Sequence, residues 1–209
     1  MHLRAESERG EMTTDRVFGE QRDGYLLAQV REAFGRVVYS HKTQEKQADL
    51  CFRKHRIQQA ALIVFTAAST GTFLAALLGN FVTPKFASLT TSFIALVVTA
   101  LTLATKSFKF GEEAEAHRDI ASRLWDVRES YLSLIADLMS GATPVVDARI
   151  RRDELQEATR ATYSDAPRTT AKAFRQASAG LKTNEEMTFT SGEIDLFLPE
   201  VLRLNEGGA

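Results

Sequence analysis

The chain has 209 residues, with 26 Lys and Arg against 27 Asp and Glu, 44% hydrophobic residues and one cysteine, Cys51. So even a charge balance argues against a dedicated nucleic-acid binder, which needs a cationic excess to displace counterions from phosphates. A lone cysteine excludes an intrachain disulfide, and Cys51 with His41, His55 and His117 forms no closely spaced set such as CxxC or HxxxH, so neither a structural metal nor a cofactor is expected.

A mean hydropathy of −0.18 would suit a soluble protein, but it averages two unlike parts. Between Ile57 and Thr105 lie 49 residues with one charge, Lys85, and the other 52 charges occupy the remaining 160 positions. An evenly mixed chain, a quarter charged, would put about twelve charges in that window. Segregation of this kind calls for a membrane segment or a deeply buried hairpin.

The first 23 residues carry ten charges and no apolar core, so they do not read as a signal peptide and are expected to form a disordered lead-in. From Gly24 to Arg56 the residues Leu26, Val30, Phe34, Val37 and His41 recur at three-and-four spacing, which predicts an amphipathic helix over 24–56 running directly into the apolar stretch.

Ile57 to Pro84 is 28 residues without a charge, and Phe86 to Thr105 adds 20 more. At about 1.5 Å rise per residue, each is long enough to cross a hydrocarbon core of about 30 Å. The connector from Gly79 to Lys85 holds Gly, Asn and Pro turn signals, so 57–105 is expected to be a two-helix transmembrane hairpin, with spans near 57–79 and 86–105. A soluble core hairpin is the alternative, but helices this long and apolar on every side are unusual in a domain of this size. Nine Lys and Arg lie within 20 residues of the outer ends of the spans against one in the turn, which puts both termini in the cytoplasm.

Beyond the second span, Ile120, Leu124, Val127, Tyr131, Leu134 and Leu138 predict a long amphipathic helix over 112–140, stopped at Gly141. Shorter helices are expected over 147–163 and 169–181, making 106–182 a cytoplasmic helical bundle. Trp125 is expected to pack inside it. The tail, 183–209, has six carboxylates against Arg203; in it Ser191 would cap a short turn bearing Ile194, Phe197 and Leu198. The expected fold is an all-α membrane protein, its two-span hairpin continuous with the cytoplasmic bundle.

Within the hairpin, Ala67, Gly71, Ala75 and Gly79 form a small-xxx-small ridge suited to close helix contact, either with the second span or with another subunit. Ser88, Ser92, Thr99 and Thr102 lie on one stripe of the second span. In an oligomer that stripe would line a narrow wet path; alternatively, the hydroxyls bond carbonyls of their own or a neighbouring helix. Neither span has an intramembrane charge or histidine for a proton relay or ion coupling. Two spans cannot enclose a channel within one chain, so permeation requires a homo-oligomer.

No enzyme signature is present: there is no GxSxG, P-loop or GxGxxG, and the pairs Glu112-Glu113, Asp153-Glu154 and Glu185-Glu186 read as solvated surface. No catalytic, cofactor-binding or metal residue is expected. His117 reads as a polar cap near the membrane, and Arg149, Arg151 and Arg152 as a cationic cluster suited to a phosphate or to an acidic tail such as 185–200, with charge pairing within the chain or between subunits the more economical reading.

The segment Tyr39-Ser40-His41-Lys42-Thr43-Gln44-Glu45-Lys46-Gln47-Ala48-Asp49 ahead of a two-span hairpin resembles the SLATT family, the SMODS- and SLOG-associating two-transmembrane effectors of bacteria. The stretch from Ala161 to Pro167 and the ending Thr190 to Asp195 with Leu198-Pro199 resemble it too, over roughly Gly24 to Arg203. The resemblance implies an inner-membrane effector of a nucleotide-signalled anti-phage system. Such an effector stays dormant until a separate nucleotidyltransferase, a sensor protein or a nucleotide second messenger triggers it, and then opens pores or damages the membrane. The competing expectation is a membrane-anchored scaffold that recruits a cytoplasmic partner without forming a pore.

Overall fold

The computed structural model describes residues 2–69, 71 and 84–187, with side chains from Gly24 onward. Among the described residues five helices follow in order: α1 (His2–Ser69), α2 (Pro84–Ser107), α3 (Phe110–Ser140), α4 (Val145–Asp165) and α5 (Ala171–Lys182). Among the described residues there is no strand.

α1 is unbroken through Arg56, so the amphipathic stretch does run into the apolar one, and the helix also includes 2–23. Its buried positions Leu26, Val30, Ala33 and Val37 keep the predicted spacing and meet Ile120, Leu124, Val127, Tyr131 and Leu134 of α3. The pairing is antiparallel: Phe34 lies by Arg128, His41 by Trp125, Gln44 by His117 and Cys51 by Glu113. Ala148 and Leu155 of α4 complete this core, and α5 lies against α1 through Ala173 and Ala177, both fully buried. A helix with a single apolar face must cover it with a neighbour, and four such faces close the bundle.

α3 ends as its sequence predicts. Gly141 takes φ +68, where a side chain would be strained, and the amides of Gly141 and Ala142 bond back to Leu138 and Asp137. α5 starts at Ala171, with Thr170 accepting from the Ala173 amide as its N-cap.

The expected continuity of the second apolar helix with the bundle fails at one place. Phe108 and Lys109 leave the helix between α2 and α3, Lys109 having φ −83 and ψ 52. Residues two apart on a helix face different sides, yet the Phe108 and Phe110 rings are stacked 5.7 Å apart and only 7° from parallel, which a continuous helix would not allow. The Lys54 ammonium lies 5.2 Å from the Phe110 ring, holding the joint against α1.

Candidate functional site

α2 carries charges only at its ends, Lys85 and Lys106. Among the described residues there is one helix long and apolar enough to cross a membrane, and none of its most apolar window is buried. Phe86, Leu89, Phe93, Leu96 and Leu103 are all at least 59% exposed, as are Ile63 and Val64 near the end of α1. The stretch expected as the second span is thus an apolar helix whose large side chains face outward. The remainder of the first span, most of the connector and the ridge positions Ala75 and Gly79 lie outside the described residues.

The hydroxyl stripe lies on this exposed surface. Ser88, Ser92, Thr99 and Thr102 are all exposed. Ser88 donates to the Lys85 carbonyl at 3.2 Å, Thr99 to Ala95 at 2.9 Å and Thr102 to Val98 at 2.8 Å. These hydroxyls are therefore satisfied within their own helix. Ala67 and Gly71 of the ridge are also exposed, and a Cβ on Gly71 would meet nothing within 4 Å.

The segment from Tyr39 to Asp49 has a different environment. It is a polar hub where α1 meets α3, α4 and α5. Gln44 and His117 meet at 2.5 Å, both buried; Gln44 Oε1 is the acceptor, so the proton lies on Nδ1. Gln47, also buried, donates to Cys51 Sγ and accepts from the Thr170 amide at 3.1 Å and hydroxyl at 2.7 Å. The Tyr163 hydroxyl donates to Ser40. Lys42 and Lys46 both reach Glu186 at 2.9 Å, tying the chain after α5 back to α1.

His117 is therefore a buried interhelical residue and not a cap at the membrane surface. Burial holds its pKa below the usual histidine value, with Glu113 opposing, and keeps it neutral. His41 is lowered too, mainly by burial. Trp125 departs from its expected place: it is 43% exposed, on the rim, its ring 5.3 Å from His41 and 4.6 Å from the Arg128 guanidinium.

Glu186, read from sequence as solvated surface, is held by two ammonium groups that bring its pKa down to about 2. Its partners are 140 positions away from it or more, beyond the reach of any spacing argument. Arg151 and Arg152 do pair with nearby carboxylates, Glu154 at 2.9 Å and Asp153 at 2.7 Å. Among the described residues no group of three His, Cys, Asp or Glu side chains could hold a metal ion. The acidic tail turn at Ser191, Ile194, Phe197 and Leu198 lies outside the described residues.

Beside the hub, α1, α4 and α5 enclose an open groove of about 870 Å³. A smaller one of about 300 Å³ sits at the joint between α2 and α3.

Compared with known proteins, residues 26–193 match the family model described as SMODS and SLOG-associating 2TM effector domain family 4. No curated protein and no solved structure matches the chain.

Proposed function

The chain belongs to SMODS and SLOG-associating 2TM effector domain family 4, and from that premise we propose that it is the membrane effector of a bacterial nucleotide-signalled anti-phage system. In this reading it oligomerises and, once activated, opens or disrupts the inner membrane, ending in growth arrest or cell death. The observation that carries the reading is the outward apolar surface of α2 on a chain of two-transmembrane family. Leaving a large apolar side chain in water forfeits about 1.5–3 kcal/mol. Phe86, Leu89, Phe93, Leu96 and Leu103 together would forfeit more than a bundle of this size can spare, so lipid or other copies must cover them.

The spans in this reading are 57–79 and 86–105, with the turn outside and both termini in the cytoplasm. The helix 24–56 and the bundle 106–182 remain cytoplasmic, with 183–209 as an acidic tail. Ala67 and Gly71 offer a close-approach surface to a neighbouring copy, and Ser88, Ser92, Thr99 and Thr102 turn toward the shared axis. Dye release from liposomes holding the purified protein tests this. Release on adding a cyclic dinucleotide, or a partner synthase with its substrates, is expected; its absence under every such condition would falsify pore formation.

A second reading, a membrane-anchored scaffold, draws support from the hydroxyls of Thr99 and Thr102, which are satisfied within their own helix and need no water. Membrane potential during expression separates the two, because a tether leaves it intact.

A further inference from the structure

The groove beside the polar hub has the chemistry of a ligand site. Its walls are unlike those of an ordinary packing defect. Tyr39 of α1 and Phe174 of α5 face each other with ring centroids 6.2 Å apart, and Phe174 is 53% exposed although it lies against the bundle. Two cations stand at the mouth. The Lys182 ammonium lies 6.0 Å over the Tyr39 ring and has no carboxylate partner among the described residues. Arg36 pairs with Glu32 at 3.7 Å, both side chains at least 65% exposed. The floor supplies Tyr131, and α4 supplies the amide of Gln156; the Thr159 hydroxyl, also in the lining, already donates to the Leu155 carbonyl at 2.6 Å.

Aromatic faces with cations at the edge and neutral hydrogen-bond groups on one wall match a planar heterocycle attached to a phosphate. The volume of about 870 Å³ falls within the range of small-molecule sites. Position decides between a soluble ligand and a lipid headgroup. Arg36 precedes Ile57 by 21 helical residues, about 30 Å at the helical rise, so the groove lies well clear of the bilayer surface that the hairpin would define.

We infer that this groove binds a nucleotide, its base against Tyr39 and Phe174 and its phosphate at Arg36 and Lys182. The inference rests on the effector reading, since it supplies the place where that effector receives its signal. The occupied groove would draw α5 toward α1 at Tyr39, at the edge of the hub that joins both to α3.

The test is equilibrium dialysis of the full chain in detergent micelles against labelled nucleoside monophosphates and the cyclic dinucleotides of adenine and guanine. At least one is expected to bind saturably. Phe174→Ala, Lys182→Met and Arg36→Met should each weaken it by roughly tenfold or more, with helix content unchanged, and inorganic phosphate should compete poorly. Failure of every nucleotide to saturate, or equal binding by all three variants, overturns the groove assignment. Dye release keeps the two readings apart: binding without release under any condition preserves the groove and removes the pore, whereas partner-driven release with no nucleotide bound does the reverse.

Discussion

Gln47 accepts both the amide and the hydroxyl of Thr170, 123 residues further along the chain, so one buried side chain of α1 anchors the start of α5. Thr170 in turn accepts from the Ala173 amide. Gln47→Ala removes the acceptor for both donors, and stranding buried polar groups costs about 1–3 kcal/mol. Thr170→Ala leaves the amide bond in place and loses a cap, at about 1 kcal/mol. Urea unfolding of the detergent-solubilised chain should therefore rank Gln47→Ala as the less stable of the two. The reverse order would mean that the cap, and not the interhelical bond, holds α5.

The buried histidines set a pH dependence. His117 and His41 both titrate below the usual histidine value in the fold, chiefly because burial disfavours the cation. Below pH of about 6.5 the unfolded chain binds protons that the folded chain does not. Stability is thus full above that value and declines as the pH falls toward the lowered folded pKa values. The thermal midpoint should drop between pH 7.5 and 5.5 by more than in His117→Gln, which lowers the midpoint at pH 7.5 but flattens its slope. A wild-type midpoint that rises on acidification would contradict the neutral, buried assignment.

What could be read from the sequence divides along the range of the interactions. The three-and-four spacing of Leu26, Val30 and Val37, the Gly141 stop and the charge-free stretch ahead of Lys106 are local signals, and α1, α3 and α2 follow them. The hub was partly visible as the tyrosine-to-lysine segment that carried the family resemblance. Its partners His117, Thr170 and Glu186 were out of reach because nothing local distinguishes a polar residue that faces another helix from one that faces water. One error has that cause, His117 read as a surface cap; Glu186 is exposed as read, and only its pairing with Lys42 and Lys46 escaped the sequence. The break at Phe108 and Lys109 was missed for a different reason. No Pro marks it, the neighbouring Gly111 falls in the first turn of α3 without a second turn signal, and the stacked phenylalanines that require the break reveal themselves only when α3 has docked on α1.

Gly180 is buried where the chain after α5 turns back. A Cβ there would lie 2.9 Å from the Glu186 carboxyl carbon, too close to remain. That carboxyl is the far end of a flexible side chain, so Gly180→Ala should displace it from Lys42 and Lys46 at a cost below about 1 kcal/mol. The titration is the more sensitive readout. Glu186 is depressed to about 2 by those lysines, so its contribution is present above the ordinary carboxylate pKa and lost as the pH falls through about 2. In Gly180→Ala the carboxyl pKa, followed by NMR, should return toward its ordinary value; a value still near 2 would show that the strap tolerates the methyl group.

The hydroxyl stripe makes a separate prediction. If Ser92 and Thr99 face a wet path, replacing either with Leu should cut dye release several-fold while cross-linking still traps the same oligomer. Thr99 donates to Ala95 within its own helix, so losing its hydroxyl strands no donor and should leave the helix intact. Unchanged release would take the stripe off the path and favour the tether.

In the proposed effector two routes lead from the bundle to the membrane helices, the unbroken α1 and the joint between α2 and α3. Phe108 is 57% exposed, so its contribution to core burial is small and its stacking on Phe110 is its main structural contact. Phe108→Ala with Lys109→Ala removes the stack and puts the strongest helix former at both non-helical positions. The expected result is one helix through the joint. Spin labels at Leu103 and Ala116, in a Cys51→Ala background, should then move out toward about 20 Å, the length of thirteen residues of straight helix. Dye release should lose its dependence on the activating nucleotide or partner in the same variant, since a stiffened joint transmits bundle motion to the spans differently. An unmoved label distance would show that α3 docking on α1 alone enforces the bend; a moved distance with unchanged gating would mean that the signal bypasses the joint and travels along the unbroken α1.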